Sequence, residues 1–136
     1  MLYNNYSGEA GELTAVTQYL YEHMELKRYE NFSKIMISIA IEEMKHLELL
    51  GDLIKRLGRK PYFINKDGLP WNSENNLKYH FSSIYDMLSF NIESEKKAIE
   101  EYREVIKYTQ NKSIKDLIER IILDEQTHLE IFNRLR

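Results

Sequence analysis

The chain has 136 residues and a formal net charge of −3, with 43% apolar residues and no cysteine. That length suits one domain with a substantial core, and the whole-chain charge offers no argument for a nucleic-acid partner. Without cysteine, disulfides, thiol catalysis and Cys-ligated iron or zinc are excluded within these residues.

Residues 1–7 read as a short tail, with Ser7 placed to cap the first helix. The spacing predicts that helix from about Gly8 to Leu26, facing inward with Glu12, Ala15, Val16, Tyr19 and Leu20. A second runs from about Glu30 to Leu57. There Ile35, Ile39, Glu43, His46, Leu50, Leu53 and Leu57 recur at threes and fours. Gly58 is placed to stop it, with Lys55 and Arg56 in the last turn.

Residues 59–76 form the one long break, holding both prolines, the Asp67-Gly68 turn signal and the only tryptophan, Trp71. Helix joins in bundles usually take about 2–8 residues. A segment this long, stretched out, reaches roughly 60 Å, and a 28-residue helix is about 42 Å long. The break is therefore long enough to run the length of the bundle before the third helix starts. The third helix is predicted from about Leu77 to Thr109, with Ile84, Leu88, Glu95, Ala98, Tyr102 and Ile106 inward. Ser113 and Asp116 resemble a capping box for the fourth, whose face carries Leu117, Ile121, Glu125, His128 and Phe132. The fold expected is all-α: residues 1–136 as a single four-helix-bundle domain with a long crossover between the second and third helices.

Two stretches on these stripes carry chemistry. Glu43-Met44-Lys45-His46 and Glu125-Gln126-Thr127-His128 are both Glu-x-x-His. On a helix, residues three apart share a face, so each presents a carboxylate and an imidazole to one point. Hard carboxylate with imidazole suits iron, manganese or zinc. A second pattern also repeats: Glu12-x-x-Ala15-x-x-x-Tyr19 and Glu95-x-x-Ala98-x-x-x-Tyr102. Glu95 lies 83 residues after Glu12, and Glu125 lies 82 after Glu43. The chain thus reads as two similar halves.

In an antiparallel hairpin, facing residues are equidistant from the turn. The midpoint of Glu12 and Glu43 falls between Lys27 and Arg28, and that of Glu95 and Glu125 at Gln110, both where apolar periodicity lapses. Four glutamates and two histidines are thereby expected at one depth. Four carboxylates carry −4 and two divalent cations +4, so a filled site is neutral; burying the acids without cations is costly. The expected metal ligands are Glu12, Glu43, His46, Glu95, Glu125 and His128, the four glutamates being the catalytic carboxylates.

The neighbours are read more plainly. Glu93 competes with Glu95, and the repeat favours Glu95. Glu42 and Asp124 point about 100° away from the ligand stripe. His23 lies about 16 Å along the axis from Glu12, and His80 about 22 Å from Glu95, so both are expected to be structural. Tyr19 and Tyr102 are core residues or, alternatively, phenols hydrogen-bonded across the core to a ligand carboxylate.

These motifs resemble the ferritin-like superfamily over nearly the whole chain. Glu12-Leu13-Thr14-Ala15-Val16-Thr17-Gln18-Tyr19 is similar to the first helix of bacterioferritins and rubrerythrins, and Glu43-Met44-Lys45-His46 to the second of bacterioferritins. Tyr102-Arg103-Glu104-Val105-Ile106 and Asp124-Glu125-Gln126-Thr127-His128 match their later helices, and Gly11-Glu12-Leu13 also resembles short manganese catalases. Bacterioferritins carry a fifth helix absent here. Where rubrerythrins usually place a further glutamate, this chain has Ala98, and with no cysteine a Cys-ligated rubredoxin domain is not expected within these residues.

The resemblance implies two metal ions per chain, iron first and manganese second, reacting with hydrogen peroxide or dioxygen. Glu43 and Glu125 would bridge them. The function so implied is a rubrerythrin-like oxidoreductase without its rubredoxin domain, taking electrons from a separate donor such as rubredoxin. The alternatives are a manganese catalase, which needs no donor, and a non-enzymatic iron-binding or storage protein.

No apolar run reaches the about 18 residues of a membrane span, and no signal peptide is visible. No membrane partner and a cytoplasmic location are expected. Because Glu12 sits only about one turn into its helix, one end of the second and third helices is expected to be uncovered, and a homodimer with it.

Overall fold

The structure is a computed structural model and describes residues 2–136. Among them are six helices and no strand. They fall into two compact units, Met1–Tyr79 and His80–Arg136.

The first unit is built on a hairpin. Helices α2 (Glu12–Glu25) and α3 (Glu30–Arg56) pack along each other. The turn between them is tight, with Leu26 N–H donating to Glu22 O and Tyr29 N–H to Leu26 O. His23 fastens it: its Nδ1 lies 2.7 Å from Ser33 O and 2.9 Å from Ser33 Oγ, while Ser33 Oγ donates to His23 O. The polar residues at this turn thus satisfy one another, which is the structural role expected of His23.

A short helix, α1 (Leu2–Ser7), occupies the stretch read as a tail, of which Met1 lies outside the described residues. Ser7 ends this helix instead of capping the next one, and its Oγ donates to Ile64 O. Leu2 and Tyr6 are buried, with Tyr6 lying over Gly51 of α3. A polar hexapeptide becomes helical here because tertiary contact supplies the burial that its pattern does not advertise. The part of α3 beyond His46, which α2 is too short to reach, is covered in this way by α1.

Between α1 and α2 the backbone turns sharply, with Gly8 N–H on Asn4 O and Gly11 N–H on Gly8 O. A Cβ on Gly11 would sit 2.7 Å from Asn4 O. This turn delays α2 to Glu12, four residues later than the periodicity suggests. On α2, Gln18 and Glu22 are buried, while Leu20 is exposed and Ala15 and Val16 are half-buried. On α3, Leu57 is exposed, and Met36, Ala40 and Ile54 join the buried stripe.

The long loop after α3 opens on Gly58, whose φ of +85° ends the helix. Tyr3 and Tyr6 donate to Lys60 O and Pro61 O. A bridge pairs Ile64 with Pro70 around the Asp67-Gly68 turn. The loop then runs along α2: Trp71 Nε1 donates to Thr14 Oγ1, and Tyr21 OH donates to Tyr79 O. Between these, Gln18 takes both backbone groups of Lys78. The single-turn helix α4 (Ser73–Asn76) interrupts this run.

The second unit is another antiparallel hairpin, α5 (Ile84–Tyr108) and α6 (Lys112–Leu135). Arg136 Nη1 reaches Ser89 Oγ across it. Helix α5 starts seven residues later than expected, at an N-cap, Ser83, whose Oγ accepts from Asp86 N–H. Helix α6 is capped by Asn111, whose Oδ1 accepts from Ile114 N–H, and not by Ser113. The turn centred near Gln110 falls where the Glu95–Glu125 midpoint put it.

Candidate metal centre

Each hairpin carries one buried triad of two glutamates and a histidine. In the first unit these are Glu12 on α2 and Glu43 and His46 on α3, all exposed by 3% or less. His46 Nδ1 lies 3.3 Å from Glu43 Oε1 and 3.5 Å from Glu12 Oε1. In the second unit they are Glu95 on α5 and Glu125 and His128 on α6, each exposed by 1% or less. His128 Nδ1 lies 3.8 Å from Glu125 Oε1. In either triad, each residue offers one ligand atom within 4.8 Å of the others'.

The distances say what these groups are arranged for. A hydrogen bond from a ring nitrogen to a carboxylate is about 2.7–3.2 Å long. Two donors each about 2.1 Å from one ion are about 3.0 Å apart at a right angle and about 3.4 Å apart in a tetrahedron. The imidazole–carboxylate spacings of 3.3, 3.5 and 3.8 Å lie nearer the separation of donors sharing an ion than that of a hydrogen-bonded pair. One nitrogen of His46 faces both carboxylates of its triad. The donor set, two carboxylate oxygens and one imidazole nitrogen, fits a divalent iron, manganese or zinc ion.

Local sequence explains the placement. The Glu-x-x-His spacing on α3 and α6 puts both side chains over one turn, on the stripe of Ile39, Leu50 and Leu53 in α3 and of Ile118, Ile121 and Phe132 in α6. The tight turns set the register that brings Glu12 beside His46 and Glu95 beside Glu125.

The remaining candidates separate clearly. Glu93 is exposed while Glu95 is buried. Asp124 pairs with Arg120 at 2.9 Å, on the flank of its helix, and Glu42 is half-buried. His80 is exposed. Tyr19 and Tyr102 are buried, two turns along the stripe from Glu12 and Glu95.

Two buried polar features went unread in the sequence. Gln18 Nε2 donates to Glu22 Oε2 at 2.8 Å, and both side chains are buried. Their spacing of four, continuing the Glu12–Tyr19 stripe, was the available signal. Asn91 is fully buried one turn before Glu95, on the line of Leu88 and Ile92.

The family profile described as "Ferritin-like domain" matches residues 10–135. The chain is 25% identical to a probable manganese catalase of Clostridium acetobutylicum, over 92% of this chain and 64% of that protein. It is 29% identical to a bacterioferritin of Desulfovibrio desulfuricans, over 93% of this chain and 68% of that one. It therefore spans about two thirds of the length of these relatives. Among solved structures, the manganese catalase KatB from Anabaena superposes with a TM-score of 0.87 at 24% identity, over 98% of this chain and 68% of that one. The Desulfovibrio desulfuricans bacterioferritin superposes with a TM-score of 0.79 at 27% identity, over 98% and 75%. The architecture is that of the ferritin-like helical bundles.

Proposed function

The chain belongs to the ferritin-like family, and from that premise we propose that its two triads would each hold a metal ion and make the chain a redox enzyme acting on hydrogen peroxide or dioxygen. The observation that carries the reading is the pair of buried Glu/Glu/His triads, one in each hairpin. Six ionisable side chains exposed by 3% or less would be costly to bury without compensating cations. The resemblance to a bacterioferritin and a manganese catalase supports a metal pair and an oxidoreductase.

In this reading Glu12, Glu43 and His46 would hold one ion, and Glu95, Glu125 and His128 the other. A bound metal pair supplies the two-electron redox chemistry that peroxide or dioxygen requires. The chain's own part is to fix the donors and exclude water. The helical Glu-x-x-His spacing orients each histidine beside its glutamate, and the apolar residues above and below each triad keep the site dry. Tyr19 and Tyr102 stand on the same stripes, as phenols that tune the ligand carboxylates.

Iron with a separate electron donor is the first form of this proposal. A manganese catalase is the second, favoured by the similarity to two proteins of that name. The test is metal analysis of protein loaded with iron or manganese, then peroxide consumption with and without a reductant. Two ions per chain are expected, falling in His46→Ala and in His128→Ala but not in His80→Ala. Dioxygen release without reductant identifies the catalase; consumption only with reductant identifies the donor-dependent enzyme. Saturation at one ion per chain or fewer refutes the dimetal assignment.

A further inference from the structure

Helix α1 buries one polar group that the fold does not use. Leu2, Asn5 and Tyr6 are all buried and lie at spacings of three and four, on one face of the helix. Leu2 and Tyr6 suit such a face. Asn5 is 4% exposed, and its Nδ2 has no hydrogen-bond partner among the described residues. A buried amide N–H left unmet opposes folding, and a leucine of similar size would fill the place without that cost.

The direction of Asn5 follows from its neighbours. Successive residues turn about 100° round a helix. Tyr3 and Ser7 donate to Lys60 O and Ile64 O, and Asn4 Oδ1 accepts from Lys66 N–H, so the loop after α3 occupies that side of α1. Tyr6 lies over Gly51 of α3, with its hydroxyl on Pro61 O. Asn5 stands about 160° round from Ser7 and about 100° from Tyr6. Buried and turned from the loop, it faces inward. On α3, Leu50 is fully buried one turn after His46, and Gly51 follows it. Asn5 is thereby placed near the end of the first triad, at a height roughly 6 Å beyond His46. The other ligand helix starts beside it: Asn4 O would be 2.7 Å from a Cβ on Gly11, the residue before Glu12.

We propose that Asn5 is an oxygen-binding residue of the first triad. Its Nδ2 donates a hydrogen bond to the water or peroxide brought to an ion held by Glu12, Glu43 and His46. The inference rests on the reading of that triad as a metal site. Carboxylate and imidazole donors leave an iron or manganese ion with positions open to oxygen. Ionised carboxylates can accept a hydrogen bond from an arriving peroxide but cannot donate one, so the amide supplies what the triad lacks. Being neutral, it does so without altering the charge balance between acids and cations.

The experiment is absorbance titration of the iron-loaded, oxidised full chain with azide, a small anion that takes the place of peroxide on the metal. Asn5→Leu should raise the azide dissociation constant by about tenfold, and Tyr6→Phe, which controls for the seating of α1, should leave it unchanged. Stripped of metal, Asn5→Leu should melt no lower than the parent, because it removes a donor without a partner in the fold. A merely structural asparagine gives the reverse, a lower melt with the parent's azide affinity. Unchanged azide affinity in Asn5→Leu, an equal loss in Tyr6→Phe, or a melt several degrees lower in stripped Asn5→Leu overturns the proposal. Metal content of the same samples separates the two readings. A parent protein that holds iron while Asn5→Leu binds azide as well as the parent leaves the triad standing and strikes Asn5 alone. A parent protein that takes up no iron strikes both.

Discussion

Replacing Gln18 with leucine tests how the loop is tied to the first hairpin. The side chain donates from Nε2 to Glu22 Oε2 and to Lys78 O, both at 2.8 Å, and accepts from Lys78 N–H at 2.9 Å. Leucine fills similar space and removes all three bonds. Lys78 is exposed, so water replaces much of what its backbone loses, at about 1 kcal/mol. The buried Glu22 carboxyl loses a donor that water cannot reach, which costs about 2 kcal/mol. The expected loss is about 3 kcal/mol, or about 10 °C in melting temperature for a chain of this length. Circular dichroism melts measure it, and exchange of the Lys78 amide hydrogen should quicken in the same variant. The double variant Gln18→Leu/Glu22→Leu should regain about half the loss, because it removes the buried polar group as well as its donor. A Gln18→Leu protein melting within about 1 °C of the parent would refute the reasoning.

Other expectations rest on single features. Stripped protein should gain melting temperature on adding iron or manganese, because ions that bind only the folded triads stabilise them; an unchanged melt would count against the site. His23→Ala should keep its metal content yet lose about 1–3 kcal/mol, since it removes the lock on Ser33 at the turn; loss of metal would place His23 nearer the site than the structure does. Gly58→Ala should cost about 1 kcal/mol through backbone strain alone, as φ is +85° and no atom lies within 4 Å of the added Cβ. Burial raises the Tyr6 phenol above its usual pKa of 10.0. The stability this contributes is therefore whole below pH 10 and lost as pH rises through the higher folded value, a loss that Tyr6→Phe should abolish in alkaline melts.

The parts of the chain governed by period were legible in the residues alone. The recurring Glu-x-x-His and the two hairpin midpoints place Glu12 beside His46, and Glu95 with Glu125 and His128, because a helix turns residue number into direction. What was not legible depended on contacts distant in sequence. Leu2–Ser7 carries no helical pattern and is held by residues more than fifty positions away. The stretch from Leu77 to Ser83 was read as part of α5, yet stays non-helical because Gln18 satisfies Lys78 and Ser83 offers a cap. Asn111 and Ser113 are both capping residues, and only the backbone path selects Asn111. Gln18 and Glu22 were passed over, because a spacing of four on the Glu12–Tyr19 stripe marks a shared face but does not say that the face is buried.

The turn from Leu26 to Tyr29 and the loop after Gly58 impose opposite rules on how the chain's length can change over evolutionary time. One residue inserted into the turn would slide Glu12 past Glu43 by about 1.5 Å or swing it about 100° around the helix, scattering a triad that depends on both. An insertion near the exposed Asp67-Gly68 tip lengthens a loop without shifting the register between α2 and α3. Across related sequences the first connection should therefore hold a constant length while the second drifts, so that gaps in an alignment would mark, without any chemistry, which connection sets the register of the metal ligands.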